Sequence, residues 1–205
     1  MSKSSKTKEK GKSAKGKKGT KKKGKSKAEK LREKLEWVAV KRSGIHARGL
    51  FAKKAIPEGT RVIEYIGPKI TKAESERRGH EQDAIGRDTG EGMVYIFTLN
   101  KRHDIDGNVE WNWARLANHS CDPNCTTDVI RGRIWLIADR SIEKGEEIVY
   151  DYNFDLDYYE EHPCLCGTDN CCGYIVGETY RDKLAKLIKK KKKKAKKKAK
   201  KRGKK

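Results

Sequence analysis

The sequence predicts one mostly β domain that lies between two cationic tails. The chain has 205 residues and a net charge of +22, but this charge is divided unevenly. Residues 1–34 carry 16 Lys or Arg against 3 Glu, and residues 181–205 carry 17 against 1 Asp. Residues 35–180 are acidic, with 18 basic and 25 acidic side chains. Because the tails have almost no aromatic or β-branched residues, they are predicted to be disordered.

Short strand candidates, separated by turns that contain Gly or Pro, predict the β character of residues 35–180. The candidates are residues 37–40, 50–52, 62–67, 93–99, 126–130, 133–138 and 148–150. Turn signals at intervals of about 8–12 residues are typical of a mostly β domain. Arg131-Gly132, between two candidates, predicts a hairpin. Short helices are predicted at residues 28–36, 71–78 and 111–116, the second with a capping box of Thr71 and Glu74, and a loop at residues 79–92.

Residues 117–125 read ANHSCDPNC, which places an amide, an imidazole, a hydroxyl and two thiols around one proline. That is too much polar function for a core strand. The Asp-Pro-Asn within it predicts a turn between strands, so a turn and a functional site are both open at this point.

The cysteines all follow residue 120, and Cys164-x-Cys166-x4-Cys171 is the sharpest local signal. Close clustering of cysteines, in a chain that shows no secretory signal, favours a metal over disulfides. Three thiolates need a fourth ligand for tetrahedral zinc. The sequence leaves this ligand open, and the candidates are Cys121, Cys125, Cys172 and His162. A cysteine that is not a ligand is expected to be a small buried apolar residue.

Tyr150 ends the last strand candidate, and Tyr152 follows it after Asp151. Residues two apart on a strand share a face, so both phenols are expected to line one cavity. Paired tyrosines are also ordinary in a core, so this pattern alone leaves their role undecided.

Taken in order, the Asn-His-Ser-Cys stretch, residues 145–152 and the cysteine group resemble the SET-domain protein lysine methyltransferases with a post-SET zinc motif. The resemblance covers about residues 37–176 and is closest to trithorax-type and short bacterial SET proteins. It implies a SET fold of several short sheets with a knot-like core and a zinc knuckle at the C-terminal end. The implied SET domain is residues 35–155 and the implied post-SET segment residues 156–180.

The resemblance also implies roles for particular residues. Tyr152 would be catalytic, Tyr95 would lie at the cofactor and lysine channel, and Tyr150, in place of Phe, would limit the product to mono- or dimethyllysine. The cofactor would be S-adenosylmethionine, bound by His46, Ala47, Arg48, Gly49, Tyr95, Asn118, His119 and Tyr152. One structural zinc ion would be held by Cys121, Cys164, Cys166 and Cys171.

Two positions depart from the family pattern. Ala47 replaces the first glycine of the cofactor loop, and alanine adopts a positive φ only at a cost. Leu116 replaces a phenylalanine, which concerns packing more than chemistry.

The expected substrate is a basic protein tail, such as that of a histone or histone-like protein, and the expected site of action is chromatin. Lysine runs in the tails predict non-specific nucleic-acid binding through phosphates. An acidic core should also attract its own basic tails, so automethylation, or autoinhibition by a tail lying in the groove, is a further hypothesis. Nucleus, bacterial nucleoid or cytoplasm, and a host nucleus all agree with this composition. No apolar run predicts a membrane span. Two alternatives stay open: a nucleic-acid-compacting protein with a degenerate SET core, and a methyltransferase of a basic protein outside chromatin.

Overall fold

Ten strands and three α-helices make up the part of the chain that the computed structural model describes, residues 25–89 and 95–202. The strands are β1 Val38–Arg42, β2 Arg48–Ala52, β3 Arg61–Tyr65, β4 Lys69–Thr71, β5 Ile96–Thr98, β6 His103–Asp106, β7 Asn118–His119, β8 Cys125–Ile130, β9 Arg133–Ala138 and β10 Glu147–Tyr150. The helices are α1 Lys27–Glu33, α2 Lys72–Thr89 and α3 Arg181–Arg202, with short 3-10 helices at Trp113–Leu116, Tyr159–Glu161 and Glu178–Tyr180. The predicted mostly β fold is confirmed.

Seven of the described strands form one sheet in the order β1-β2-β10-β8-β9-β3, with β7 paired to β10. Strands β7 and β8 run parallel to β10, so that Val149 lies beside Asn118 and Tyr150 beside His119. The polar stretch of residues 117–125 therefore runs alongside β10. This arrangement puts the predicted cofactor contacts next to the predicted tyrosines.

The hairpin of β8 and β9 forms where the sequence predicts it. Its turn residues Arg131 and Gly132 have φ values of +51° and +73°. Two consecutive positive φ values give the turn type that matches the twist of paired strands. Along β9 the side chains alternate, and Ile134, Leu136 and Ala138 are buried. Each large apolar side chain buried in this way stabilises the fold by about 1.5–3 kcal/mol.

A second sheet, in the order β4-β6-β5, carries helix α2. Arg78 Nη1 lies 2.7 Å from Asp106 Oδ2 of β6, and the buried Gln82 accepts a hydrogen bond from the Tyr95 backbone N–H at 3.1 Å. These contacts hold a polar segment in helical form to residue 89, so the prediction of a loop from residue 79 was wrong for residues 79–89. Residues 93 and 94, where the predicted strand begins, lie outside the described residues.

The C-terminal tail differs from its prediction, because residues 181–202 form helix α3 instead of a disordered segment. Lys and Ala both favour helices. The first turns of α3 are also anchored, since Leu184 is buried and Ile188 packs against the same small cluster as Tyr159 and Val176. Composition predicted disorder here because these few apolar residues are outnumbered by lysine.

The N-terminal tail is described only from residue 25. Its end forms helix α1, which begins with a capping box of Ser26 and Glu29. Trp113 Nε1 donates a hydrogen bond to the Ala28 carbonyl oxygen at 3.0 Å, so this helix contacts the domain. The remainder of the predicted disordered tail lies outside the described residues.

Candidate functional site

Four cysteine sulfurs lie close enough together to hold one metal ion. All four Sγ atoms are within 4.8 Å of one another, and they belong to Cys121, Cys164, Cys166 and Cys171. Cys121 Sγ is 3.8 Å from Cys164 Sγ and 3.9 Å from Cys171 Sγ. Four thiolates bound tetrahedrally to zinc at about 2.3 Å have sulfurs about 3.8 Å apart, so this donor set fits zinc. The fold thus brings together the four thiols named from the sequence.

The other candidate ligands are engaged differently. Cys172 Sγ also lies 3.8 Å from Cys121 Sγ, but its thiol donates to the Tyr174 carbonyl oxygen at 3.2 Å. Cys125 is 1% exposed and belongs to the apolar core, as expected for a cysteine without a ligand role. The ring of His162 packs edge-on against the ring of Phe154, with ring centroids 5.3 Å apart. None of these three joins the compact set of four sulfurs found among the described residues.

The predicted cofactor loop lies against Asn118. Asn118 Nδ2 donates to the carbonyl oxygens of Arg48 at 3.3 Å and His46 at 3.5 Å, and to Glu147 Oε1 at 2.7 Å. Gly49 permits this close approach, since a Cβ there would come within 2.1 Å of Glu147 Oε1. The exposed outer face of residues 46–48 is open to a ligand.

Ala47 occupies a backbone conformation that favours glycine. Its φ is +37°, in the left-handed region where an L side chain costs about 1–2 kcal/mol. Ala47, which stands where the family pattern has glycine, is therefore a strained residue of the loop.

A row of aromatic rings extends past the end of β10. Ring centroids are 4.5 Å apart for Tyr65 and Phe97, 5.7 Å for Phe97 and Tyr150, 4.8 Å for Tyr150 and Tyr152, and 5.8 Å for Tyr152 and Phe154. Burial raises the pKa of the Tyr150 hydroxyl well above its ordinary value. Strand β10 ends at Tyr150, so Tyr152 is not on the strand as the pattern assumed, but the two rings are in contact and share one aromatic wall.

Tyr152 is held by two hydrogen bonds. Its hydroxyl donates to the Ala117 carbonyl oxygen at 3.0 Å, and its backbone N–H donates to His119 Nδ1 at 3.2 Å. Burial, and to a smaller extent the neighbouring Tyr95, raises the pKa of the Tyr152 hydroxyl. The hydroxyl therefore stays protonated at neutral pH and can act as a hydrogen-bond donor.

His119 joins Tyr152 to the cysteine cluster. Burial lowers the pKa of His119 to about 4, an effect that Asp151 opposes and Arg181 reinforces, so the ring is neutral at pH 7. Its Nδ1 accepts the Tyr152 bond, so its proton is on Nε2, which lies 3.7 Å from Cys121 Sγ. The His119 ring thus contacts both Tyr152 and the cysteine cluster.

Two residues that the sequence did not single out shape this site. The Tyr65 hydroxyl donates to the Tyr95 carbonyl oxygen at 2.9 Å, and Gln82 fixes the Tyr95 backbone N–H from the other side. The ring of Tyr95 lies 5.7 Å from the Arg115 guanidinium. Tyr65 ends a strand before a Gly-Pro turn, a weak signal, and Gln82 carried no signal because it fell in a predicted loop.

The SET domain family model matches residues 47–153. Histone-lysine N-methyltransferase 2D of Homo sapiens is 40% identical over 148 residues, which cover 68% of this chain and 3% of that protein. Histone-lysine N-methyltransferase trr of Drosophila melanogaster is 38% identical over 146 residues, covering 67% of this chain and 6% of that protein. An H3 lysine-4 specific histone-lysine N-methyltransferase of Saccharomyces cerevisiae is 39% identical over 140 residues, which cover 65% of this chain and 13% of that protein.

The chain thus spans less than a sixth of the length of each of these three relatives. The matched range of the family model holds the 46–49 loop from Ala47 onward, together with Tyr95, Asn118, Tyr150 and Tyr152. Since that range is about half of the chain and includes Tyr65, Phe97, Tyr150 and Tyr152 of the aromatic wall, the chain belongs to the SET domain family.

Proposed function

We propose that this protein is a protein-lysine N-methyltransferase that uses S-adenosylmethionine and acts on basic tails of histones or histone-like proteins. The observation that supports the proposal is that Tyr152, the predicted catalytic residue, and Asn118, a predicted cofactor contact, are held at neighbouring positions of the backbone. The Tyr152 hydroxyl is bonded to Ala117, and the next residue, Asn118, contacts the predicted cofactor loop. The names of the relatives, all histone-lysine N-methyltransferases, support the substrate class.

The bound cofactor would supply an electrophilic methyl group on a sulfonium sulfur. The chain's own residues would orient the acceptor and exclude water. An aromatic wall from Tyr65 to Phe154 desolvates an entering lysine amine, which lowers its pKa and favours the neutral nucleophile. Protonated Tyr152 would act by hydrogen bonding and position, not as a base, so most of the rate gain comes from orientation and preorganised electrostatics.

The acidic balance of residues 35–180 suits a basic substrate, because opposite charge raises the local concentration of a cationic tail. The target lysine is not fixed by the relatives. One is named as H3 lysine-4 specific, and another, from Aspergillus fumigatus and 34% identical over 154 residues, as H3 lysine-36 specific.

The test is methyl transfer from labelled S-adenosylmethionine to a panel of histones, DNA-binding proteins and ribosomal proteins, read by mass spectrometry. Transfer to histones supports the proposal, and transfer to ribosomal proteins alone would move the substrate outside chromatin. Absence of both transfer and cofactor binding would favour the nucleic-acid-compacting alternative, which Ala47 supports. The same spectra report automethylation of the tails, and unmodified tails would count against it.

Tyr150 is expected to limit the product to mono- or dimethyllysine. Its hydroxyl is buried beside Phe97 and Tyr152, where it narrows the space available to a methylated amine. Tyr150→Phe should raise the ratio of di- and trimethyllysine to monomethyllysine, measured by mass spectrometry on one histone peptide. Wild-type enzyme that already produces mainly trimethyllysine would contradict this role.

The cationic tails are proposed to hold the protein on DNA through phosphate contacts. From Lys189 onward helix α3 is almost entirely lysine. Changing Lys192, Lys193, Lys196 and Lys197 to Gln removes four charges and keeps helix propensity. We expect the slope of log affinity for DNA against log salt to fall by up to about 3–4, equally for unrelated duplex sequences. An unchanged slope would argue that α3 does not contact DNA.

A further inference from the structure

Arg181, the first residue of helix α3, joins three separate segments of the chain. Its Nη1 donates to the Cys121 carbonyl oxygen at 2.8 Å and its Nη2 to Asp151 Oδ2 at 2.9 Å, while Nε lies 3.5 Å from the Val176 carbonyl oxygen. The Arg181 side chain is only 19% exposed. It lies beyond the matched residues 47–153 and beyond the last cysteine.

The carboxylate that Arg181 binds holds the backbone after Tyr152 and lies near the hydrogen-bond partner of the Tyr152 N–H. Asp151 Oδ1 accepts the Asn153 backbone N–H at 2.8 Å, and Asn153 has a positive φ of +55°. The same carboxylate lies 3.8 Å from Nδ1 of His119, the atom that accepts the Tyr152 N–H. A rotated Asp151 carboxylate would therefore release the turn that follows Tyr152 and change the surroundings of its N–H partner.

The segment that leads into α3 is packed closely onto this turn. Gly177 donates its N–H to the Phe154 carbonyl oxygen at 2.8 Å, and a Cβ at Gly177 would come within 2.3 Å of Asn153 Oδ1. The Glu178 N–H adds a second bond to Asp151 Oδ2 at 3.0 Å. The segment before α3 thus packs against the residues on either side of Tyr152 and restricts their movement.

Apolar contacts fix the helix from which Arg181 projects. Leu184, one turn further along, is 1% exposed and packs with Tyr159 and Val176. Arg181 is therefore anchored on both sides, by its own hydrogen bonds and by the docked turns that follow it.

We propose that Arg181 is a positioning residue that sets the orientation of Tyr152 through the Asp151 carboxylate. This extends the methyltransferase site into a helix whose composition predicts only a cationic tail. The inference about catalysis rests on the proposed function, but the effect on Tyr152 itself is measurable without any reaction.

The first test follows Tyr152 by fluorine NMR in protein labelled with 3-fluorotyrosine and loaded with zinc. The Tyr152 resonance is assigned as the one missing in Tyr152→Phe. Arg181→Met keeps an unbranched side chain but removes the guanidinium group that binds Cys121 and Asp151. This variant should shift or broaden the Tyr152 resonance. Lys191→Met, which breaks an exposed ion pair on the same helix, should leave it unchanged.

The second test measures kinetics on a histone peptide with wild type, Arg181→Met, Arg181→Lys and Lys191→Met. We expect kcat to fall about 10–100-fold in Arg181→Met with little change in KM for either substrate. Arg181→Lys should recover only part of the rate, because an ammonium lacks the planar fork that reaches both Cys121 and Asp151. Zinc content and thermal unfolding of each variant are measured alongside.

Three outcomes decide the proposal. A Tyr152 resonance that is unchanged in folded, zinc-loaded Arg181→Met overturns it. A loss of rate accompanied by loss of zinc also overturns it, because Arg181 would then serve only the metal knuckle. An inactive wild type with a shifted Tyr152 resonance in Arg181→Met would refute the proposed function and still support the positioning role.

Discussion

Tyr152→Phe should lower methyl transfer by about 10²–10³-fold, the range observed when one preorganised hydrogen-bond donor is removed from an active site. The hydroxyl is held in place because it donates its one hydrogen to the Ala117 carbonyl oxygen at 3.0 Å, which leaves its oxygen free to accept from an incoming amine. Burial raises its pKa, so it carries its proton at the pH of the reaction. The phenylalanine ring would keep the contacts with Tyr150 and His119. The aromatic packing around residue 152 should therefore change little.

The measurement is single-turnover transfer to a histone peptide, with cofactor binding and thermal unfolding recorded for the same samples. Tyr158→Phe is the matched control. It removes the same hydroxyl oxygen, but from a tyrosine that is 73% exposed. Equal rates for wild type and Tyr152→Phe would remove the proposed catalytic role. A loss of rate in both variants would point to a general effect on the protein.

Local features of this fold could be predicted because they depend on neighbouring residues. The Arg131-Gly132 turn follows from the positive φ that Gly accepts, and the alternation of β9 follows from one buried face. The clustering of Cys164, Cys166 and Cys171 also follows from short spacing, since three thiols so close in sequence can reach one ion. Cys121 as their partner depends on contacts across more than forty residues and came only through the family resemblance.

Features that depend on tertiary packing were missed or predicted wrongly. Helix α2 continues to residue 89 because Gln82 and Arg78 find partners on other elements, which no local pattern reveals. Helix α3 looked disordered because lysine dominates its composition, yet Leu184 and Arg181 bind it to the domain. The sequence could indicate that Ala47 would be unfavourable in a loop that needs a positive φ. That its φ is +37° is known only from the folded loop.

The zinc cluster should be the structural support on which the rest of the site depends. Cys164→Ser is expected to reduce bound zinc from about one ion per chain to nearly none, because three thiolates cannot complete a tetrahedral site. In a small metal site much of the folding free energy is metal-binding free energy, so residues 156–180 should lose their order. Methyl transfer should fall by more than the roughly 10–100-fold that is typical of changes around a metal site.

The reason for this large expected effect is the chain of contacts from the proposed metal site to Tyr152. Cys121, one of the four proposed ligands, lies two residues after His119, whose Nδ1 accepts the Tyr152 N–H, and the Cys121 carbonyl oxygen is bound by Arg181. Loss of the metal would free Cys121, and this would disturb both the His119 ring that accepts the Tyr152 N–H and the Arg181 bond to the Cys121 carbonyl oxygen. The measurements are zinc content by mass spectrometry and amide hydrogen exchange, which should show fast exchange of residues 164–176 in Cys164→Ser.

Cys172→Ser is the control that separates the two assignments of the fourth thiol. Its sulfur is as near to Cys121 as that of Cys164, but it is bonded to the Tyr174 carbonyl oxygen and stands outside the four-sulfur set. We expect Cys172→Ser to keep its zinc and most of its activity, because a serine hydroxyl can donate the same hydrogen bond. Zinc lost from Cys172→Ser and retained by Cys121→Ser would make Cys172 the ligand. The direct link from the metal through Cys121 to Tyr152 would then be wrong.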